Sequence, residues 1–159
     1  TYDQNFQLTN SSLTFSTAVI LSADALNAVE EASLTGGIGP NTIDAAGFSG
    51  VTSLTGLGGD DRLLGGTNAD SLLGGAGFDT LTGGLGNDTL DGGDDSDRVT
   101  EVGDVALLKL QNIVLTGLGT DELRSLEFAN LAGGPGNNIL DASLFTGAVT
   151  LTVAAVQLI

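Results

Sequence analysis

The sequence predicts an all-β solenoid, and three observations carry the prediction. From Gly56 to Thr100 it repeats every nine residues without insertion: GLGGDDRLL, GGTNADSLL, GGAGFDTLT, GGLGNDTLD, GGDDSDRVT. Glycine, aspartate and an aliphatic residue each keep one fixed column of that repeat. Each unit also offers one inward aliphatic side chain, which nine residues cannot bury alone, so successive units must stack.

The columns divide the unit into a turn and a short strand. Glycine opens every copy, at Gly56, Gly65, Gly74, Gly83 and Gly92, where it permits a tight turn and close approach of backbone. Aspartate holds the sixth place, at Asp61, Asp70, Asp79, Asp88 and Asp97. Leu63, Leu72, Leu81, Leu90 and Val99 hold the eighth, flanked by polar residues as in a three-residue strand with one face inward. The fourth column reads Gly59, Asn68, Gly77, Gly86 and Asp95. Asn tolerates left-handed backbone better than Asp does, so the fifth turn is expected to be the least regular. Leu57, in place of a second-column glycine, is expected to blur the first.

These columns resemble the RTX (haemolysin-type) calcium-binding nonapeptide repeat, GGxGxDxUx, of large bacterial secreted and surface proteins. The resemblance implies a right-handed parallel β-roll or β-helix solenoid with two nonapeptides per turn. Turns would then alternate between two edges, Asp61, Asp79 and Asp97 on one and Asp70 and Asp88 on the other. Calcium takes six to eight oxygens at about 2.3–2.6 Å. In that family, carbonyls of the first and third columns join the aspartates. Here those are Gly56, Gly58, Gly65, Thr67, Gly74, Ala76, Gly83, Leu85, Gly92 and Asp94. Same-edge pairs 61 with 79, 79 with 97 and 70 with 88 imply about three calcium ions. The competing reading is a set of Gly–Asp turns whose carboxylates satisfy only their own backbones. Stacking like charges with nothing between them opposes it.

Composition narrows the chemistry. The 159 residues correspond to one domain, read as a solenoid with a flank at 1–55, the repeat block at 56–100 and a second flank at 101–159. The chain has no Cys, His, Met or Trp. That removes disulfides and the commonest ligands of zinc, copper and iron, and leaves a hard cation held by oxygen. Twenty acids face four bases, for a net charge of −16, which argues against nucleic acid and anionic membranes. Nine aspartates and two arginines lie between 56 and 100, so without cations that segment is expected to repel itself and stay disordered. With Thr1 first and no methionine, the chain reads as processed or excised. Ala142–Ile159 carries no charge and just reaches membrane-span length, but its Ser, Thr and Gln residues favour a buried strand pair over a membrane span.

The flanks resemble each other. LTGGIGPNTIDAAGFSGVTSLT (34–55) matches LAGGPGNNILDASLFTGAVTLT (131–152) at an offset of 97, and FQLTNSSLT (6–14) matches LKLQNIVLT (108–116) at 102. Each carries a degenerate turn with Asn41 or Asn138 in the ligand column, expected to bind no metal. Gly117–Leu123 keeps an acid, Asp121, yet has no same-edge partner at the repeat's spacing. Leu13, Leu26, Leu34, Ile43 and Leu54, and again Leu115, Leu123, Leu131, Leu140 and Leu151, predict rungs running through both flanks. A short helix at Ala23–Ala32 and Asp121–Asn130 is the rival, though ten residues make a marginal helix.

Catalysis has no apparent machinery. There is no histidine to act as base and no G-x-S-x-G elbow. Glu30/Glu31 and Glu122/Glu127 read as solvated surface, and six Phe and one Tyr leave little for a sugar platform. Two non-enzymatic classes remain. One is an extracellular structural protein that assembles with copies of itself, head to tail, through the uncharged stretches 4–23 and 142–159, into a fibre or surface layer. The other is a calcium-triggered folding and secretion module cut from a larger toxin, enzyme or adhesin.

Overall fold

Nine-residue spacing commits the chain to short strands that cross from one sheet to another at each turn. The computed structural model describes residues 6–9, 12–15, 29–103, 107–134 and 138–152. Its strands are β1 (Phe6–Thr9), β2 (Ser12–Phe15), β3 (Glu31–Thr35), β4 (Thr42–Gly47), β5 (Val51–Gly58), β6 (Arg62–Leu64), β7 (Ser71–Ala76) and β8 (Thr80–Thr82). They continue as β9 (Thr89–Asp94), β10 (Arg98–Gly103), β11 (Leu107–Gln111), β12 (Val114–Thr116), β13 (Thr120–Arg124), β14 (Phe128–Gly133), β15 (Ile139–Leu144) and β16 (Ala148–Thr152). No helix occurs among the described residues, so none there is long and apolar enough to cross a membrane.

Two eight-stranded sheets result, ordered β16-β14-β10-β8-β6-β4-β1-β2 and β15-β11-β12-β13-β9-β7-β5-β3. From β3 to β10 consecutive strands alternate between them, two strands per turn, and every ladder between those strands is parallel. This is a β-roll. Register places like residues over like: Ile43, Leu63, Leu81, Val99 and Ala129 form one inward column. Leu34, Leu54, Leu72, Leu90 and Leu123 form the other. All ten are buried, and each fully buried Leu contributes about 1.5–3 kcal/mol of transfer free energy. Alternation does the sorting: in β5, Thr52, Leu54 and Gly56 face in while Val51, Ser53 and Leu57 face out.

Outside the block the rungs are not uniform. β1 and β2 form an antiparallel pair, and β11, β12 and β13 form an antiparallel meander within one sheet. Only Asn112 and Ile113 join β11 to β12, too few residues to cross to the other sheet, so the chain folds back instead. The internal duplication holds strand for strand. β3, β4 and β5 correspond to β14, β15 and β16 at 97 residues, and the pairs Leu8–Leu13 and Leu110–Leu115 correspond at 102. Even turn details repeat: Phe48 N–H donates to Ala45 O (2.9 Å) as Phe145 N–H does to Ala142 O (3.0 Å).

The structure decides several expectations about the flanks. Residues 121–130 form β13 and the start of β14, not a helix, while 23–28 lie outside the described residues. Leu34, Ile43, Leu54, Leu115, Leu123 and Leu131 are buried as expected. Leu151 is 47% exposed, because β16 ends its sheet and no strand covers it among the described residues. For the same reason the strand pair begun at Ala142 is not buried: Ser143, Leu144, Thr150 and Leu151 are exposed. The inward role expected of Leu13 and Leu26, most of 4–23, and 153–159 fall outside what is described.

Candidate metal centre

A turn with glycine first and aspartate sixth brings the carboxylate back over the glycine. Gly74 shows how little room is left. A Cβ there would overlap Asp79 Oδ2 and stand 2.5 Å from the Gly92 carbonyl oxygen of the next turn on that edge. Gly56 meets Asp61 and the Gly74 carbonyl in the same way, and Gly65 meets Asp70 and the Gly83 carbonyl. The first column is glycine because carboxylate and carbonyl oxygens converge on it.

The aspartates stack along two edges. On the first, Asn41 N–H donates to Asp61 Oδ1 (2.7 Å), Asp61 N–H to Asp79 Oδ1 (2.8 Å) and Asp79 N–H to Asp97 Oδ1 (2.8 Å). On the second, Thr52 N–H and Oγ1 donate to Asp70 Oδ1 (2.6 and 2.9 Å), and Asp70 N–H to Asp88 Oδ1 (2.8 Å). The two-edge alternation expected from two repeats per turn is therefore present. Each stack begins at a neutral residue, Asn41 or Thr52.

Both stacks run past the repeat. Asp88 N–H donates to Asp121 Oδ1 (3.1 Å), and Asp97 N–H to Glu127 Oε2 (2.9 Å). Asp121 thus has a same-edge partner, though, as expected, not at the repeat's spacing. It lies 33 residues from Asp88 instead of 18, because β11 and β12 are inserted between them. Glu101 is a third acid the repeat pattern did not single out. It stands nine residues after Gly92, in the glycine column, is 1% exposed, and accepts from Gly83 N–H (2.6 Å) and Gly84 N–H (3.3 Å). Counting one more repeat would have found it.

Electrostatics make these stacks costly when bare. The Oδ2 atoms of Asp79, Asp88, Asp97 and Asp121 are buried and meet no hydrogen-bond donor among the described residues. The ion pair found there, Arg124 with Glu122 (2.6 Å), is exposed and does not reach them. Burial pushes Asp79 upward, Asp88 to about 7, and Asp97 and Asp121 to about 6, against the pull of the backbone N–H each accepts. Burial raises Glu101 to about 8, with the charges of Asp121 and Asp88 adding to it. A buried carboxylate with an open oxygen and no counter-charge needs a proton or a cation.

The donor set suits calcium. Among the described residues no group of three or more His, Cys, Asp or Glu side chains forms a ready cluster, so backbone carbonyls must supply most of the shell. The first-column carbonyls of Gly74, Gly83 and Gly92 do converge on neighbouring aspartates. In the third column, Ala76 O accepts from Gly59 N–H (2.9 Å), while Thr67 and Leu85 lie on exposed turns and Asp94 is exposed at the end of β9.

Residues 46–81 and 64–99 match the model of the RTX calcium-binding nonapeptide repeat, in four copies. Residues 46–99 are an RTX repeat block. No curated protein and no solved structure gives a significant match to the chain. The RTX block is a calcium-binding β-roll module, and its buried, repeated aspartates fit that ion.

Within the RTX block the irregular turn is neither the first nor the fifth. Leu57 and Asp95 take the left-handed backbone of their columns, at φ 83° and 77°. The second turn departs, since neither Gly66 nor Asn68 has positive φ. Gly66 N–H can then donate to Asp70 Oδ2 (2.6 Å), closing the oxygen its counterparts leave open. Asn68 meanwhile reaches out to the Ser49 carbonyl. Asn41 is closed in the same sense, its Oδ1 accepting from Gly37 N–H (2.5 Å), and Asn138 donates to Gly134 O (2.9 Å).

Proposed function

We propose that this chain is an extracellular, non-catalytic structural module whose RTX block folds as calcium binds. One observation carries the reading: among the described residues, four buried aspartates stand in two stacks, each with an open oxygen and no cationic partner. Asp61, Asp70, Asp79, Asp88 and Asp97, with the carbonyls of Gly56, Gly65, Gly74, Gly83 and Gly92, would hold the ions. Bound calcium supplies the positive charge that lets like-charged turns stack. Extracellular modules bind it at about 10⁻⁴–10⁻³ M, which suits a protein folded outside the cell and unfolded within it. Glu122 and Glu127, the nearest approach to a catalytic acid pair, are engaged with Arg124 and with Asp97 N–H. Far-ultraviolet circular dichroism provides the test. A β spectrum in millimolar calcium should collapse in chelator and return on readdition; a spectrum indifferent to chelator overturns the reading.

The assembling form of this module is a subunit that continues its rungs into the next copy. β15 and β16 end the two sheets, with Ile139 63% and Leu151 47% exposed there, and exposed strand edges recruit other strands. A heterologous contact of that kind grows without closing. Sedimentation and electron microscopy in calcium should show fibres or layers, abolished by Ile139→Lys with Leu151→Lys. A chain that stays monomeric at high concentration favours the folding and secretion module instead.

A further inference from the structure

We propose that the second flank completes one more divalent-cation site, built from Asp97, Glu127 and the Ser125 carbonyl, at the far end of the first edge. It rests on the reading that the glycine–aspartate turns take calcium. Gly92 is the evidence for the geometry. A Cβ there would overlap both Asp97 Oδ2 and Ser125 O, the arrangement seen one turn earlier at Gly74 with Asp79 and Gly92 O. Ser125 is no part of the repeat, yet its carbonyl stands where the next first-column glycine's would. It gets there by taking φ 50° in the turn between β13 and β14.

The carboxylates point the same way. Asp97 is 0% exposed, and its Oδ2, beside the Ser125 carbonyl, meets no donor among the described residues. Its Oδ1 is already engaged by Asp79 N–H. Glu127 extends the stack, accepting Asp97 N–H through Oε2 as Asp97 accepts Asp79 N–H. The backbone is tied across the same gap, because both Glu127 N–H (3.1 Å) and Phe128 N–H (2.9 Å) donate to Asp97 O. Two carboxylates from successive turns and a converging carbonyl form an all-oxygen set for a hard cation. The RTX match ends at residue 99, so two of the site's three groups, Glu127 and the Ser125 carbonyl, lie outside it.

The experiment counts bound calcium by equilibrium dialysis in the full chain, for wild type, Glu127→Gln, Ser125→Gly and Asp79→Asn. Glu127→Gln should lose one ion, or weaken one by roughly tenfold or more, since affinity follows ligand charge. Its circular dichroism in calcium should stay that of the wild type. Ser125→Gly keeps the carbonyl and accepts positive φ, so it should retain every ion. Asp79→Asn reports on the repeat itself. If it loses calcium while Glu127→Gln keeps the full complement, the added site is overturned and the calcium reading stands. A Glu127→Gln chain that loses several ions together with its β signal also overturns the site, making Glu127 a structural prop. A wild type that binds no calcium overturns both.

Discussion

Gly74 and Gly58 both belong to the repeat, yet only one has no space for a methyl group. Beside Gly58 the nearest atoms to a Cβ are Ile38 O and Ala76 O at 3.7 and 3.8 Å, whereas at Gly74 Gly92 O stands at 2.5 Å. Gly74→Ala should cost about 1–3 kcal/mol by overpacking against backbone and weaken calcium binding, while Gly58→Ala should stay within about 0.5 kcal/mol. Thermal melts of both variants in saturating calcium check this. The acids give a second prediction at this scale. Asp88, Asp97 and Asp121 have raised values in the fold, so the folded chain without metal holds protons that the unfolded chain releases. Stability in chelator is then fullest below the ordinary carboxylate range, near 4, and is lost as pH rises toward about 7. In calcium the trend reverses, because the ion replaces protons that leave with rising pH. Denaturation at pH 5 and pH 8, each with calcium and with chelator, should show the opposed slopes.

Elements in this fold are defined by alternation more than by length. β7 places Leu72 inward at 1% exposure and Leu73, the next residue, outward at 43%. Leu72→Ala should cost about 2–5 kcal/mol and Leu73→Ala within about 0.5 kcal/mol, as urea denaturation in calcium would report. Three-residue strands such as β6 and β8 cannot persist alone; parallel neighbours on both sides hold them. The hairpin-like insertions in the flanks break the solenoid's period but not its core. Leu110 and Leu115, paired across β11 and β12, are both 0% exposed. The meander therefore adds a layer to the end of the roll and carries β13 back under β9, which positions Asp121 beneath Asp88.

At the scale of the molecule, the apolar columns and the charge oppose each other. The two Leu-rich columns favour stacking, and a net charge of −16 with buried acids resists it. In the proposed reading, calcium tips this balance. Three sites that bind only the folded chain should raise stability by about 4 kcal/mol per tenfold rise in free calcium, once each site is near saturation. Urea titrations across a calcium series measure that slope directly. A slope near zero would mean that the ions do not discriminate folded from unfolded chain.

The residues by themselves determined the all-β class, the inward columns and the duplicated flanks, and the family resemblance of the repeat implied the two-edge alternation. The inward columns follow from spacing along the covalent chain, which the nine-residue period writes out locally. Only the tertiary structure decided which flank acids join the stacks. Asp121 and Glu127 lie 33 and 30 residues from their partners, distances set by how much chain the β11–β12 excursion absorbs. It also decided that the two flank copies occupy opposite sheets. β3 and β5 lie in one sheet while their counterparts β14 and β16 lie in the other, because an odd number of half-turns separates the copies. The second turn's departure is a packing outcome of the same kind: Asn68 reaches the Ser49 carbonyl and Gly66 closes onto Asp70, and no repeat column encodes either contact. Periodicity specifies what stacks, and long-range packing specifies what each stack ends on.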